Sequence, residues 1–224
     1  MRIVIAGGHG KIALRLERLL AARGDDPVAL IRNPDHRQDV ARTGARPVVC
    51  DLEQVKADQV VAHLRGADAV VFAAGAGPGS GAARKFTVDR DASALLADAA
   101  EQAGVARFVQ ISTMGAGRPP APGGDEVWAA YLQAKTEAED DLRARDLGWT
   151  ILRPGGLTDE HGTWRVALAG PRLPRGSVTR DDVAAVIVAL LDTPGTDHLT
   201  LELTNGEVPV TAAVRAVARG AGAS

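Results

Sequence analysis

Short apolar, β-branched runs alternate along this chain with stretches whose apolar residues recur at helical spacing, and this alternation constrains the fold more than any other feature. Six such runs come before residue 155, at 2–6, 27–31, 47–50, 68–74, 106–112 and 149–154. Stretches of helical spacing lie among them at 12–22, 57–64, 82–103 and 126–147. Strands that are apolar throughout are typical of a sheet covered on both faces. The pattern therefore predicts an α/β fold with a doubly wound parallel sheet.

The pattern loosens after Pro154, where about 70 residues remain. Thr179 precedes an apolar stretch and Asp182 follows three residues later, which predicts a capped helix over 180–192. A strand is predicted at 198–203, a short final helix at 208–220 and a mobile Gly- and Pro-rich loop at 115–125. A length of 224 residues suits one domain. We expect residues 155–224 to contribute a small substrate lobe to that single domain, 1–224.

Composition and charge exclude several classes of function. The 26 basic and 28 acidic residues are scattered, so no basic face for nucleic acid is expected. The sequence contains no run of about 20 apolar residues, so no membrane-spanning helix is expected. The histidines, the cysteine and the carboxylates lack the spacing of metal ligands, so no metal site is expected. The single cysteine, Cys50, is interpreted as a buried filler, and the absence of a signal-like run before Gly7 predicts a cytoplasmic protein. A small molecule is the expected partner, and both a monomer and a homodimer remain open.

The first predicted strand ends in the glycine-rich segment GGHGKIA, residues 7–13, where a helix should begin. Gly7 would make a tight turn, Gly10 would lie against a pyrophosphate, and Ala13 would let the helix pack close to the sheet. The helix amides would point at that anion. The segment predicts a dinucleotide site, and a purely structural turn is the alternative.

The end of the second strand indicates which dinucleotide is bound. NAD sites usually place an acidic residue there, whereas NADP sites place an arginine. This strand ends with Arg32, which could bind a 2′-phosphate through its guanidinium fork, with His36 and Arg37 as helpers. NADP(H) is therefore favoured over NAD(H), and a solvated arginine at a strand end is the alternative.

Two further strand ends are candidates for contact with the cofactor. Asp51 and Leu52 follow the third strand, where an adenine ring would lie, although a plain turn explains them equally well. The small residues Ala73, Ala74 and Gly75 follow the fourth strand and would allow the backbone to approach the cofactor. A flexible loop is the alternative for that segment.

The candidate catalytic groups follow the fifth strand. Tyr131 is the only tyrosine and Lys135 is one of four lysines, and their spacing places them on one face of a predicted helix. A lysine ammonium beside a phenol favours the phenolate, which suits a general acid. Ser112 or Thr113 could hold a substrate oxygen, and the sequence does not choose between them. The alternative is a packed tyrosine beside a solvated lysine.

Several segments together resemble the atypical short-chain dehydrogenases/reductases of the NmrA-like, NAD(P)-binding group. They are GGHGKIA, VVCDLE, VFAAGAGPGSG, VARFVQISTMGA, YLQAK, WTILRPGGLTDEHGT and SVTRDDVAAV. The resemblance spans nearly the whole chain and implies a Rossmann fold, with Tyr131 and Lys135 matching the Tyr-x-x-x-Lys pattern of active members. The cofactor-binding residues it implies, together with those inferred above, are Gly7, Gly8, His9, Gly10, Lys11, Ile12, Arg32, Asp51, Leu52, Ala73, Ala74, Gly75, Ser112, Lys135, Pro154, Gly155, Gly156 and Leu157.

Two positions depart from the usual pattern of this group: Ala6 precedes the turn where a threonine is common, and Ala13 replaces the third glycine. Alanine is an accepted variant at the latter position. The leading hypothesis is an NADP(H)-dependent oxidoreductase that transfers a hydride to or from a small carbonyl, quinone or flavin-like substrate. A non-catalytic dinucleotide sensor and an NAD(P)-dependent epimerase or dehydratase are the alternatives.

Overall fold

The computed structural model describes residues 1–77, 79–119 and 123–221, and its centre is a nine-stranded sheet. The first six strands alternate with helices, as the apolar runs predict. Their bounds are β1 (Arg2–Ala6), β2 (Asp26–Ile31), β3 (Arg46–Val49), β4 (Ala69–Phe72), β5 (Arg107–Ile111) and β6 (Gly148–Pro154). Five strands follow, namely β7 (Gly156–Thr158), β8 (Arg165–Ala169), β9 (Ser177–Thr179), β10 (Leu199–Asn205) and β11 (Val208–Pro209).

The order of the strands across the large sheet is β11-β8-β10-β6-β5-β4-β1-β2-β3. Every pairing from β3 across to β10 is parallel, which confirms the doubly wound α/β fold. The last two strands, β8 and β11, add antiparallel pairings at one edge that the sequence pattern does not reveal. The order of strands reverses between β1 and β4, and ligands of such sheets bind outside the carboxyl ends at this point.

Helices cover both faces of the sheet. Their bounds are α1 (Lys11–Ala22), α2 (Arg37–Ala41), α3 (Ala57–Leu64), α4 (Ala82–Arg84), α5 (Ala92–Ala103), α6 (Glu126–Arg143), α7 (Arg180–Asp192) and α8 (Val210–Ala221), with a 3₁₀ turn at Pro34–His36. One apolar cluster joins α1, α7 and α8 to one face, and a second joins α3, α5 and α6 to the other. The sheet is therefore buried on both sides, which explains its uniformly apolar strands.

The stretch 82–103, predicted as one helix, is divided in the structure. A π-helical turn, Lys85–Asp91, separates α4 from α5. Such turns have wider hydrogen-bonded rings and occur frequently at functional sites. In this chain the turn buries the charged side chains of Lys85 and Asp89, which a regular amphipathic pattern does not anticipate.

Most of the chain after Pro154 completes the main body and does not stand apart from it. Strand β10 pairs with β6, while α7 packs against α1. The predicted helix cap is confirmed, because the Thr179 hydroxyl accepts a hydrogen bond from the Asp182 amide at 3.0 Å. Among the described residues, β7 and β9 form a separate two-stranded sheet. Within the described ranges, no helix is long and apolar enough to span a membrane.

The predicted loop 115–125 is described only in part, because residues 120–122 lie outside the described residues. The Gly117 amide donates a hydrogen bond to the Thr136 hydroxyl at 2.9 Å. Arg118 forms an ion pair of 3.0 Å with the buried Glu202 of β10. The first part of this loop is therefore fastened to both α6 and the sheet.

A buried glutamate lies between α1 and the turn that follows α2. Glu17 is fully buried, and the Thr43 hydroxyl donates a hydrogen bond to its Oε2 atom at 2.9 Å. Burial raises the pKa of Glu17 to about 8, although the Thr43 hydrogen bond and the nearby Arg18 act in the opposite direction. The side chain therefore keeps its proton in the folded protein at neutral pH.

This raised pKa predicts a specific dependence of stability on pH. The folded pKa lies above the unfolded value, so the contribution is fully present below pH about 4.5 and is lost as pH rises through about 8. We expect the free energy of unfolding to fall by about 4 kcal/mol across this window because of this group. Glu17→Gln should remove that slope in urea unfolding curves, whereas Glu207→Gln, at an exposed position, should keep it. Equal slopes in the parent and Glu17→Gln would contradict this assignment.

Candidate functional site

A cleft of about 290 Å³ opens where the carboxyl ends of β1, β2, β3 and β4 meet. Four segments line it, one after each strand, and the residues are Gly7, Gly8, His9, Gly10, Leu30, Ile31, Arg32, Asn33, His36, Cys50, Asp51, Leu52, Glu53, Ala73, Ala74, Gly75, Ala76, Arg84, Val88 and Ala92. Segments at the carboxyl ends of four different strands thus contribute backbone or side chains to one cleft, which lies where the order of strands reverses.

The turn between β1 and α1 forms the floor of the cleft. Gly7 has a φ of +77°, and a Cβ atom there would lie 2.6 Å from the Ala74 Cα atom. A Cβ atom on Gly8 would lie 2.5 Å from the Cβ atom of Ala29. The Gly10 amide closes the turn by donating to the Gly7 carbonyl at 2.8 Å. Packing of the chain therefore requires glycine at these positions, and the result is a surface of bare backbone.

The start of α1 faces this floor. Gly10 is the N-cap residue of α1. Within the described residues, no side chain caps the helix and no acidic residue occupies its first turn. The positive end of the helix dipole is therefore left for another anion. The side chains of Lys11 and Ile12 are engaged elsewhere, because Lys11 pairs with Asp159 at 2.5 Å and Ile12 packs in the core. Their contribution to an anion site would come from the backbone.

Arg32 lies in the cleft wall and is already part of a charged cluster. Its Nη1 atom lies 3.3 Å from Glu53 Oε2, and Arg84 Nη2 lies 2.8 Å from the same oxygen. The Thr87 hydroxyl donates to the other oxygen of Glu53 at 2.8 Å. Sequence reasoning missed Glu53 and Arg84, because nothing in the linear pattern brings the segment after β4 to the ends of β2 and β3.

Two histidines cover another part of the wall. The rings of His9 and His36 are stacked with their centroids 3.5 Å apart, and His9 Nε2 lies 3.1 Å from a carboxylate oxygen of Asp39. Hydrogen bonding to His9 lowers the pKa of Asp39. His36 lines the cleft as its predicted helper role requires, whereas Arg37 begins α2 and is not part of the lining.

The segment after β3 contributes a turn to the same wall. The Asp51 side chain accepts a hydrogen bond from the Glu53 amide at 3.1 Å, and Leu52 lies beside it in the lining. Cys50 is buried and free, and its burial raises the pKa of the thiol. This agrees with its interpretation as a filler and not as a reactive thiolate.

A buried ion pair connects the cleft to the predicted catalytic helix. Asp89 of the π-helical turn accepts a hydrogen bond from the Ala76 amide at 3.1 Å, and Ala76 lines the cleft. The other oxygen of Asp89 lies 3.1 Å from Lys135 Nζ on α6. Lys135 also donates to the Ile111 carbonyl at 3.1 Å. The pair is almost wholly buried, with 0% and 3% of the two side chains exposed.

The environment of Lys135 keeps it charged. Its Nζ atom lies 5.9 Å from the centre of the Tyr131 ring. Burial lowers the pKa of Lys135, but the negative forms of Tyr131 and Asp89 outweigh this effect, so the pKa lies above its ordinary value. Tyr131 is half-buried, and its ring lies 5.3 Å from that of Trp128, which is 52% exposed.

The two candidate hydroxyls after β5 differ in their surroundings. Ser112 is buried and donates to Glu139 Oε1 at 2.5 Å, while Arg153 holds both oxygens of the same carboxylate. Thr113 is half-buried, and within the described residues its hydroxyl makes no hydrogen bond. The structure thus engages Ser112 in an internal network and leaves the Thr113 hydroxyl uncommitted.

The segment predicted to lie at the nicotinamide end follows β6. The carbonyl of Pro154 accepts a hydrogen bond from the Met114 amide at 2.9 Å, which ties the segment to the loop after β5. A Cβ atom on Gly155 would lie 2.2 Å from the Gly176 carbonyl oxygen. Gly156 begins β7, and Leu157 is 39% exposed.

The predicted site residues therefore fall into two groups. Gly7, Gly8, His9, Gly10, Arg32, Asp51, Leu52, Ala73, Ala74 and Gly75 line the cleft. Lys11, Ile12, Ser112, Thr113, Tyr131, Lys135 and residues 154–157 lie outside its lining, and Asp89 connects Lys135 to it. A bare glycine floor, an uncapped helix start and an arginine in the wall fit the phosphates of a dinucleotide.

A comparison with protein families shows to which family the chain belongs. Residues 7–194 match the model of the family described as NAD(P)H-binding. The chain belongs to this NAD(P)H-binding family. The resemblance to atypical short-chain dehydrogenases/reductases is thereby confirmed, and the family comprises oxidoreductases and epimerases that bind a nicotinamide cofactor.

The matches to relatives of this NAD(P)H-binding protein cover more than nine-tenths of its length. The uncharacterised sugar epimerase YhfK of Bacillus subtilis is 34% identical over 216 residues, which cover 96% of this chain and 99% of the relative. A candidate NAD-dependent epimerase/dehydratase from Bacillus halodurans is 34% identical, with a TM-score of 0.88 over 97% and 100% of the two chains. The anaerobilin reductase ChuY of Escherichia coli O157:H7 is 27% identical, with a TM-score of 0.74 over 93% and 98%.

Across the part of the chain that the structure describes, no group of three or more histidine, cysteine and carboxylate side chains is arranged to hold an ion. The histidines nearest the cleft stack on each other and pair with Asp39.

The tight packing at Gly8 generates a prediction for this candidate dinucleotide site. Gly8→Ala should force the start of α1 away from β2, destabilise the protein by roughly 1–3 kcal/mol and weaken dinucleotide binding. Gly81→Ala is the matched control, because Gly81 has no neighbour within 4 Å of an added Cβ atom, and it should change stability by less than about 1 kcal/mol. Urea unfolding and fluorescence titration measure the two effects. Unchanged stability in Gly8→Ala would show that the close contact can relax.

Proposed function

We propose that this protein is an NADP(H)-dependent oxidoreductase that transfers a hydride to or from a small carbonyl, quinone or flavin-like substrate. The observation that carries the proposal is the connection from Tyr131 through Lys135 and Asp89 to Ala76 in the cleft wall. It joins a candidate proton donor to the candidate cofactor cleft by buried contacts. Coupled proton and hydride transfer requires a proton donor held in a fixed position relative to the cofactor, and these contacts would provide it.

The residues of the cleft have separate roles in this proposal. The turn at 7–10 and the start of α1 would hold the pyrophosphate, while Arg32 would bind the 2′-phosphate in place of the Glu53 carboxylate. Asp51 and Leu52 would lie against the adenosine. When bound, the nicotinamide supplies or accepts the hydride, a proton with two electrons.

Two side chains of α6 would supply the proton that accompanies hydride transfer. As the acceptor is reduced, Tyr131 would donate its hydroxyl proton to the acceptor oxygen, and the Lys135 ammonium would stabilise the phenolate that remains. Thr113 would hold the acceptor oxygen, because Ser112 already donates to Glu139. Oxidation of the reduced substrate follows the same path in reverse.

An exposed tryptophan beside Tyr131 favours a planar acceptor. Trp128 is 52% exposed beside Tyr131, with ring centroids 5.3 Å apart and an interplanar angle of 38°. A flat conjugated molecule can stack on such rings. One relative of similar fold is an anaerobilin reductase. These features support quinones and flavin-like molecules over small aliphatic carbonyls.

An epimerase is the second candidate, and the names of two relatives favour it. Epimerisation returns the dinucleotide to its starting redox state, whereas reduction of an external acceptor consumes one dinucleotide for each product. Loss of NADPH absorbance in proportion to acceptor reduced supports the oxidoreductase. Conversion of a sugar nucleotide with no net change in the dinucleotide supports the epimerase.

The cofactor preference can be tested by equilibrium titration with NADPH and NADH, following tryptophan fluorescence at one salt concentration. We expect NADPH to bind at least ~10-fold more tightly, a difference of about 1.4 kcal/mol. Arg32→Ala should weaken NADPH by ~10-fold or more and leave NADH within about twofold. Arg46→Ala, which removes an exposed arginine at the opposite end of β3, should change neither.

The charged cluster predicts a change of the opposite sign at Glu53. Glu53→Gln removes the carboxylate that pairs with Arg32 and Arg84, so NADPH should bind a few-fold more tightly. Binding of neither dinucleotide to the parent protein would overturn the proposed function. Equal binding of both, unchanged by Arg32→Ala, would keep a nicotinamide cofactor and reject the phosphate contact.

The proton-donor role predicts the kinetics of Tyr131→Phe. With an accepted quinone or flavin, kcat should fall by ~10²-fold or more, because only the hydroxyl is lost. The dissociation constant for NADPH should stay within about twofold and serve as the control for folding. Turnover equal to that of the parent would show that another group supplies the proton.

A further inference from the structure

Two buried lysines, not one, lie against the Tyr131 ring. Lys135 Nζ is 5.9 Å from the ring centroid and comes from the same helix, four residues on. Lys85 Nζ is 5.5 Å from the same centroid and comes from the π-helical turn. The Lys85 side chain is also buried. The spacing along α6 predicts the first contact, while the second arises only when the π-helical turn packs against α6.

The two ammonium groups differ in how their charge is balanced. Lys135 lies 3.1 Å from the carboxylate of Asp89, so a negative charge already compensates it. Lys85 donates to the Gly77 carbonyl at 2.8 Å. Among the described residues, no carboxylate lies within ion-pair distance of Lys85. The positive charge beside Tyr131 that remains uncompensated is therefore that of Lys85.

A buried ammonium without a counter-charge is costly, and the cost falls when an anion forms next to it. The nearest group that can become an anion at this contact is the Tyr131 phenol. The π face of a neutral ring already attracts a cation at this distance, and a phenolate attracts it more strongly. Ionisation of Tyr131 would thus place a negative charge beside the Lys85 ammonium, whereas Asp89 already compensates the charge of Lys135 before ionisation.

We propose that Lys85 is a positioning residue that stabilises the phenolate of Tyr131, so that the tyrosine acts beside two lysines. Lys135 fixes the tyrosine to the cleft through Asp89, and Lys85 supplies the net positive charge. The significance of Lys85 for catalysis rests on the proposed proton-donor role of Tyr131. Its effect on the phenol does not depend on any substrate and can be measured on the free protein.

Because Tyr131 is the only tyrosine in the chain, tyrosinate absorbance in the near ultraviolet reports on this phenol alone. We would follow that absorbance through rapid pH jumps into the alkaline range, with tryptophan fluorescence as the check on folding. Lys85→Gln keeps a donor for the Gly77 carbonyl but removes the charge. The absorbance midpoint should move to higher pH by ~1 unit relative to the parent.

Three variants separate charge from structure. Lys85→Arg keeps the charge and should hold the midpoint within about 0.3 unit of the parent, which a purely structural role does not require. Lys56→Met removes a lysine from an exposed position and should leave the midpoint unchanged. If Lys85→Gln does not fold, Lys85→Met takes its place, since an apolar chain of similar length suits a buried position.

A midpoint in folded Lys85→Gln or Lys85→Met within about 0.3 unit of the parent overturns the proposal, and so does an equal shift in Lys85→Arg. Failure of the proposed function is distinguishable from either result. If Tyr131→Phe retains turnover while Lys85→Gln shifts the midpoint, the electrostatic contact stands and the proton-donor role falls. With an accepted substrate, the pH profile of kcat in Lys85→Gln should move by the same amount as the absorbance midpoint.

Discussion

The buried pair of Asp89 and Lys135 holds together the three parts of the molecule on which its chemistry depends. One carboxylate joins the loop after β4, the π-helical turn and the central part of α6. Taking two charges out of water is expensive, and it is repaid only where each charge finds good partners. Here the Asp89 carboxylate accepts a hydrogen bond from the Ala76 amide, and the Lys135 ammonium donates one to the Ile111 carbonyl. The cleft wall and α6 are fixed relative to each other, because separating the two charges would leave each of them buried without a partner.

Much of the fold can be predicted from local patterns. The features that the sequence does not predict are contacts between residues far apart along the chain. The first six strands agree with the apolar runs to within about two residues at each end, because strands covered on both faces leave a signal in a few consecutive residues. The spacing of Tyr131 and Lys135 is likewise local. Asp89 reaches Lys135 across 46 positions, and Arg84 reaches Glu53 across 31. No periodicity connects residues so far apart.

The two hydroxyls after β5 illustrate the same limit. Ser112 and Thr113 are adjacent and chemically alike, so the residue types alone do not separate them. The distinction comes from Glu139, a buried carboxylate on α6 that Arg153 holds and that also accepts a hydrogen bond from the Ser112 hydroxyl. The sequence pattern does not reveal the antiparallel strands β8 and β11 for a related reason, since β8 has one fully buried residue and β11 has none, too few to form a pattern.

The outer strands of the sheet share a feature that bears on how the protein behaves at high concentration. Strand β3 ends one side and contains Pro47, while β11 ends the other and contains Pro209. Proline has no amide proton, so neither border offers an unbroken row of donors to a strand of a second molecule. Natural sheets use such residues to prevent aggregation through their borders. The two prolines therefore reduce the number of amide donors that the borders of this sheet offer to a second copy of the chain.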